Sequence, residues 1–211
     1  MAFHYIAVEG VIGVGKTLVT QRLAERLDAA TVLEDWASNP FLKAFYDGQA
    51  GAAFQTELFF LLSRYRQQQE LLQRRLFSQA TLCDYVFEKS KLFAYLNLDD
   101  SELLIYEKLY ALLADTVPRP DLVIYLQAPV STLIERVHRR GVDFERAIPS
   151  DYLARLAEAY TRFFYRYDEA PLLIVNSERL NFVDNPRHVD LLLQRIAGMR
   201  GAREFFNVGP D

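Results

Sequence analysis

The stretch GVIGVGKT, Gly10 to Thr17, constrains this chain more than any other, because it meets every fixed position of the phosphate-loop pattern G-x-x-x-x-G-K-[ST]. A loop that wraps an oxyanion must turn successive backbone N–H groups inward, and glycine reaches the φ > 0 conformations this needs without a Cβ clash. Gly10, Gly13 and Gly15 supply that freedom, with Val11, Ile12 and Val14 between them. Lys16 brings a compact ammonium to the terminal phosphates, Thr17 offers a hydroxyl to Mg²⁺, and the helix that follows points its positive dipole end at the same anion. The flanks agree. His4 to Glu9 reads as a short buried strand, while Leu18, Val19, Leu23, Ala24 and Leu27 recur at helical spacing. Strand, loop and helix in this order imply nucleotide binding, which by itself does not imply catalysis.

The remaining chain bounds the fold. With 211 residues, 51% hydrophobic and 25% charged, it is expected to form one soluble α/β domain spanning 1–211. A net charge of -4 gives no general attraction to nucleic acid or anionic membranes. Cys83, the sole cysteine, excludes an intrachain disulfide and sits in an apolar strand candidate, so it reads as a core residue. There is no charged-then-apolar leader and no run near 18 apolar residues, which points to the cytoplasm. Five apolar runs, near 4–9, 31–34, 80–84, 121–127 and 172–176, alternate with helical patterns. They predict a doubly wound, five-stranded parallel sheet with helices on both faces. Periodicity fades after Gly198, and a flexible tail is expected from about 200. Ligands of such sheets lie beyond the carboxyl ends of the strands, which singles out Glu34, Asp84 and the segment after Gln127.

Glu34 and Asp35 end the second strand just before the Asn39-Pro40 break, and either carboxylate could face a reacting phosphate or its acceptor. Strand pleat alone leaves the two open. Asp84, at the tip of the third strand, is the acid placed to hold Mg²⁺ together with Thr17. Ala52 to Phe77 fits a long helix with Gln55, Glu57 and Arg64 as candidate polar contacts. Gln55 and Arg64 are nine residues apart, hence about 180° apart on a straight helix, whereas Glu57 and Arg64 share a face. Asp99 and Glu102 have capping-box spacing before a helix of about 15 residues. After the fourth strand, Val130, Leu133, Ile134 and Val137 form an apolar stripe, and Arg136, Arg139 and Arg140 a basic one. With Gly141 and Arg146 this is a concentration of guanidinium groups suited to a transferring phosphoryl, on a segment able to move as a lid.

With these residues in hand, the chain resembles the deoxyribonucleoside kinases, especially the bacterial deoxyadenosine/deoxyguanosine branch, over nearly its full length. EDWASNPFL matches the family's glutamate before NPFL or NPYL, and RVHRRGVDFERAIPSDYL its lid pattern. The resemblance implies a P-loop kinase that moves the γ-phosphate of ATP, with Mg²⁺, to the 5′-hydroxyl of a deoxynucleoside, with a purine or cytosine base favoured. It implies Glu34 as the base, Lys16, Arg136 and Arg140 at the transferring phosphoryl, and Tyr46 and Glu145 at the ribose 3′-hydroxyl. Phe54 and Phe93 resemble the aromatics that sandwich the base, and Gln55 and Arg64 the polar residues of that helix. A homodimer through long helices is also implied. Two departures stand out: the family's acid-Arg-Ser motif reads Asp84-Tyr85-Val86, with Lys89 the possible substitute cation, and Val142 follows Gly141 where the family often has arginine.

Other readings follow from the same residues. A thymidylate-like monophosphate kinase shares the loop and lid, but Glu34 would repel an acceptor that already carries a phosphate. A catalytically weak nucleotide-binding protein of this fold would be consistent with the two departures. A regulatory GTPase would require an N-K-x-D sequence, and the chain has none.

Overall fold

The computed structural model describes residues 3–74, 80–142 and 148–208. Among them is one parallel sheet of β1 (Tyr5–Gly10), β2 (Ala30–Val32), β3 (Thr81–Cys83), β4 (Leu122–Gln127), β5 (Leu172–Asn176) and β6 (Arg203–Phe206), in the order β2-β3-β1-β4-β5-β6. Helices connect them: α1 (Lys16–Leu27), α2 (Leu42–Tyr46), α3 (Ala52–Arg74), α4 (Lys89–Asn97), α5 (Asp100–Ala114), α6 (Val130–Arg140), α7 (Ser150–Arg166) and α8 (Pro186–Ala197). The central strands are apolar on both faces because helices cover both, as all-parallel sheets require. β1 is buried along its whole length and pairs with β3 on one side and β4 on the other.

The expected strand count of five becomes six. Arg203–Phe206 pairs in parallel with β5, from Leu172↔Arg203 to Val175↔Phe206, within the stretch expected as a tail. Its residues alternate between exposed and half-buried, so it lacks the continuous apolar run that marks the inner strands. Polar contacts tie it down instead: Arg195 pairs with Glu204 at 2.7 Å, and Arg203 donates to the carbonyls of Tyr165 at 2.8 Å and Tyr167 at 2.6 Å.

The main core fills the space between sheet and helices, with Ile6, Val8, Leu82, Ile124 and Leu173 at its centre. A smaller apolar cluster, Leu61, Phe87, Ala94, Tyr106 and Tyr110, fixes α3, α4 and α5 to one another. The expected capping box is present at α5, where Asp99 accepts from Ser101 and Glu102 and the Glu102 side chain accepts from the Asp99 backbone. These packed helices form the wall of a crevice at the carboxyl ends of β1 and β3, where the topology directs polar residues.

Candidate active site

The phosphate loop runs from β1 into α1. Gly13 has φ +85°, and a Cβ there would lie 2.8 Å from both the Leu133 carbonyl oxygen and Val137 Cγ2 of α6, so the residue is needed for conformation and for close approach. Gly15 has φ +100° and leads directly into α1, whose first backbone N–H groups face the loop. Lys16 Nζ donates to the carbonyls of Gly10 at 2.8 Å and Val11 at 3.3 Å, and burial together with the neighbouring Lys89 cation pushes its pKa down to about 8. Beneath the loop lies Glu9, fully buried in an otherwise apolar strand. Its carboxylate accepts from the backbone N–H of Gly10 at 2.8 Å and Val86 at 3.0 Å and from the Tyr160 hydroxyl at 3.1 Å. It thereby joins the start of the phosphate loop to the segment after β3. The sequence signal for this residue was an acid inside a run of buried strand positions.

Asp84 and Glu34 come together at the edge of the crevice. Asp84 Oδ2 accepts from the Thr17 hydroxyl at 2.6 Å, and Oδ1 accepts from the Glu34 backbone N–H at 2.7 Å. Burial and the charge of Glu34 raise the Asp84 carboxyl above its ordinary value. The Glu34 carboxylate takes Arg64 Nε at 2.7 Å on one oxygen and Lys89 Nζ at 2.9 Å on the other. Burial works to raise its pKa, but Lys89 and Arg64 outweigh it and hold the carboxyl well below the usual carboxylate range. Asp35 faces elsewhere: it is exposed and caps a 3₁₀ turn, Trp36–Ser38, by accepting from the Ser38 N–H at 3.2 Å. The pleat ambiguity between the two acids is resolved geometrically in favour of Glu34 at the cavity.

Tyr85 stands where the resembling family carries arginine, and it is completely buried. Its hydroxyl donates to Gln67 Oε1 at 2.9 Å, and Gln67 Nε2 donates to the Leu33 carbonyl at 2.8 Å. The tyrosine thus anchors the backbone immediately before Glu34, while Lys89, one turn further on, brings the cation to the carboxylate. Asn39 of the NPFL segment is also buried, donating to the Thr56 carbonyl at 3.2 Å and accepting from the Phe41 N–H at 3.0 Å, which locks the chain after Glu34 against α3.

A cavity of about 860 Å³ opens over these groups. It is lined by the phosphate loop with Lys16 and Thr17, by Glu34, Asp84, Arg64 and Lys89, and by an apolar group of Trp36, Leu42, Tyr46, Phe60 and Phe93. Of the expected base-site residues, Tyr46, Arg64 and Phe93 line it. Phe54 and Gln55 are not brought to it: Phe54 packs on the α3–α4–α5 cluster, and Gln55 is exposed. α3 is a continuous helix from Ala52, so Gln55 falls opposite Arg64, and the face shared with Arg64 carries Glu57 and Phe60. Phe60, which the motif reading passed over, lies under the Arg64 guanidinium at 5.0 Å. Glu145 lies outside the described residues, as does Arg146.

The basic stripe of α6 reaches the same cavity. Arg136 donates to the Val14 carbonyl at 3.2 Å and the Ser177 carbonyl at 2.8 Å, joining the phosphate loop to the segment after β5. Arg140 lies over the Trp36 ring at 5.7 Å. Both, with Arg139, line the cavity, and so does the run Glu178 to Asp184 after β5. Val142 follows the α6 cap Gly141, which has φ +73°.

Comparison with known proteins gives one answer at three levels. The chain is 35% identical over 186 residues to a deoxyguanosine kinase of Bacillus subtilis, covering 86% of this chain and 90% of that protein. It is 30% identical over 194 residues to a deoxyadenosine kinase of Lactobacillus acidophilus, covering 85% and 88%. Its fold superposes on a deoxyadenosine kinase of M. mycoides solved with bound dCTP, with a TM-score of 0.79 at 21% identity over 92% of this chain and all of that one. The deoxynucleoside kinase family profile matches residues 6–199, a span that contains the phosphate loop, Glu34, Asp84 and the arginine helix. The chain belongs to the deoxynucleoside kinase family.

Proposed function

We propose that this chain transfers the γ-phosphoryl group of ATP to the 5′-hydroxyl of a deoxynucleoside, acting as a single domain in nucleotide salvage in the cytoplasm. The observation that carries this reading is the Glu34 carboxylate, held between Arg64 and Lys89 in the cavity that also contains the phosphate loop. An acceptor hydroxyl on Glu34 would donate to a carboxylate already fixed in place, and Glu34 takes its proton as the oxygen–phosphorus bond forms. The depressed pKa makes Glu34 a weak base but keeps it ionised, which suits a loose phosphoryl transition state in which the proton moves late and positioning dominates. Lys16 faces the transferring group, with Arg136 and Arg140 closing on it from α6. Thr17 and Asp84, oxygen donors in direct contact, suit Mg²⁺; that ion, when bound, neutralises charge on the β- and γ-phosphates. Tyr46 and Phe93 would hold sugar and base, and the run Glu178 to Asp184 the adenine of ATP.

The alternative monophosphate kinase is disfavoured by the same carboxylate, since the charges of Arg64 and Lys89 are already engaged by Glu34 and its own negative charge would repel an acceptor phosphate. We also infer a homodimer. Leu62 of α3 and Leu104, Ile105 and Leu112 of α5 are large apolar side chains left more than half exposed, a concentration that favours association. No helix among the described residues is long and apolar enough to cross a membrane. The test of the reading is Lys16→Ala: deoxynucleoside phosphorylation should disappear while the circular dichroism spectrum is kept, because the substitution removes a charge and little buried apolar surface. A folded variant with full activity would sink the assignment.

A further inference from the structure

The run Glu178 to Asp184, which lines the cavity, is an irregular connection between β5 and α8 with no ladder of its own to hold it. Leu180 and Phe182 are buried in the main core. Between them, Asn181 is exposed and its side chain shapes the turn: Oδ1 accepts from the backbone N–H groups of Val183 and Asp184, both at 3.0 Å, and Nδ2 donates to Asp184 Oδ2 at 3.1 Å. These bonds fix the form of the run. They do not fix its place relative to the phosphate loop, because every partner belongs to the run itself.

Two polar side chains from other elements do that. Where the run begins, Arg136 of α6 donates to the carbonyls of Ser177 at 2.8 Å and Glu178 at 3.5 Å. At its middle, the Asn181 backbone N–H donates to His188 Nδ1 at 2.8 Å. A backbone N–H only donates, so Nδ1 is the unprotonated ring nitrogen. Nε2 lies 3.2 Å from the side-chain amide of Asn185, the N-cap of α8. The helix that carries His188 is itself anchored: Val189, Leu192 and Ile196 are buried, and Asp190 pairs with Arg26 of α1, the helix that follows the phosphate loop. His188 is half-buried and does not line the cavity. A continuous path of contacts thus joins α1 to the run through α8 and one imidazole.

We propose that His188 is a positioning residue for the phosphoryl donor: through the Asn181 N–H it holds the Glu178–Asp184 wall at a fixed distance from the phosphate loop, so that both ends of one nucleotide are seated together. This rests on the reading of that run as the seat of the ATP adenine and deepens it. A ligand gripped at two ends gains from both only if their spacing is set beforehand; otherwise binding must order the wall and loses affinity by that cost. Without the imidazole the run keeps its Asn181 turn and loses its tether. The role requires one property of residue 188, an acceptor atom attached at Cγ. Asparagine has it, since its Oδ1 branches from Cγ as Nδ1 does in histidine. Glutamine carries its acceptor one bond farther out, and alanine has none.

The test measures Mg·ADP binding by calorimetry, and KM for ATP and for the best-used deoxynucleoside, in the unaltered protein and in His188→Ala, His188→Gln and His188→Asn. His188→Ala should weaken Mg·ADP binding and raise KM for ATP by about tenfold, the scale of one lost hydrogen bond, with KM for the deoxynucleoside changed by less than about twofold. His188→Gln should show the same loss, and it decides should His188→Ala not fold. His188→Asn should stay within about threefold of the unaltered protein. A merely structural role would impair both substrates together and would not distinguish Asn from Gln. Unchanged Mg·ADP affinity in His188→Ala and His188→Gln, a loss that His188→Asn shares, or a rise confined to the deoxynucleoside KM overturns the role of His188 and leaves the kinase reading standing. If the unaltered protein phosphorylates no deoxynucleoside, the kinase reading falls and the Mg·ADP comparison decides the role of His188 alone. Absence of Mg·ADP binding to the unaltered protein overturns both.

Discussion

At the scale of single residues, the site works by holding ionised groups in opposed pairs. Glu34 is the clearest case. Glu34→Gln preserves size and polarity but cannot take the proton, so kcat should fall by ~10²-fold with little change in nucleoside affinity. Asp35→Asn, in an exposed turn cap, should leave turnover within about twofold, the range of an ordinary surface change. The reverse ordering would assign the base to Asp35. Lys16 carries a pH dependence of its own: with a pKa lowered to about 8 it is mostly charged near pH 7 and loses that charge as pH rises through 8, so ATP affinity should weaken over the same range. An affinity independent of pH from 7 to 9.5, by calorimetry, would contradict that account. Glu57 shows the opposite shift. Burial raises its carboxyl from 4.5 to about 7, against Arg64 on its own helix, the Asn97 contact, and Lys89 on α4, with Glu34 adding to the rise; Tyr46, Tyr106 and Tyr152 pack near it from α2, α5 and α7. A carboxyl whose folded pKa lies above its unfolded one leaves stability highest while it is protonated, and the loss develops as pH rises from about 4.5 to 7. By 1.36 kcal/mol per pKa unit that loss is on the order of 3 kcal/mol. Glu57→Gln should therefore raise the melting temperature at pH 8 and lose that advantage as pH falls toward 5. Residues in contiguous motifs were legible from sequence, because phosphate-loop chemistry is local. Glu9 and Phe60 were not, since their roles arise only when β1 meets the segment after β3, and α3 meets α4.

At the scale of elements, α3 and α6 supply much of the cavity lining on which the proposed function rests. The periodicity of α3 already separated Gln55 from Arg64 and put Glu57 with Arg64, and the observed cavity follows that face. The motif-based expectation for Phe54 and Gln55 fails because a continuous helix cannot turn both faces to one slot. α6 presents its arginines to the cavity while Leu133 and Val137 pack inward. If it acts as a lid on transition-state charge, Arg136→Ala and Arg140→Ala should each lower kcat by on the order of tenfold or more and change deoxynucleoside binding much less. Small, equal effects on both quantities would make α6 a solvated basic helix end. β6 was invisible to pattern reading for a physical reason: an edge strand exposes alternate residues, and its four positions are held by pairing with β5 and by Arg195 and Arg203 contacts. No local signal distinguishes such a strand from an irregular tail.

At the scale of the molecule, the alternation of apolar runs and helices announces a doubly wound parallel sheet, and the observed strand order, with β3 between β2 and β1, places the phosphate loop beside Asp84 and Glu34. The exposed apolar side chains of α3 and α5 predict association: Leu104→Glu with Leu112→Glu should convert a dimer to a monomer in sedimentation, with the melting transition retained. A monomer before substitution would remove the inference. The central claim, that an acceptor hydroxyl and not a phosphate meets Glu34, is most directly tested by one assay. The four deoxynucleosides and their 5′-monophosphates are each incubated with the protein at fixed ATP and Mg²⁺, and the products are separated. The expected result is ADP and a 5′-monophosphate formed from at least one deoxynucleoside, with no diphosphate formed from any monophosphate. Diphosphate formation without deoxynucleoside phosphorylation, or ATP left unconsumed by every acceptor, would contradict it.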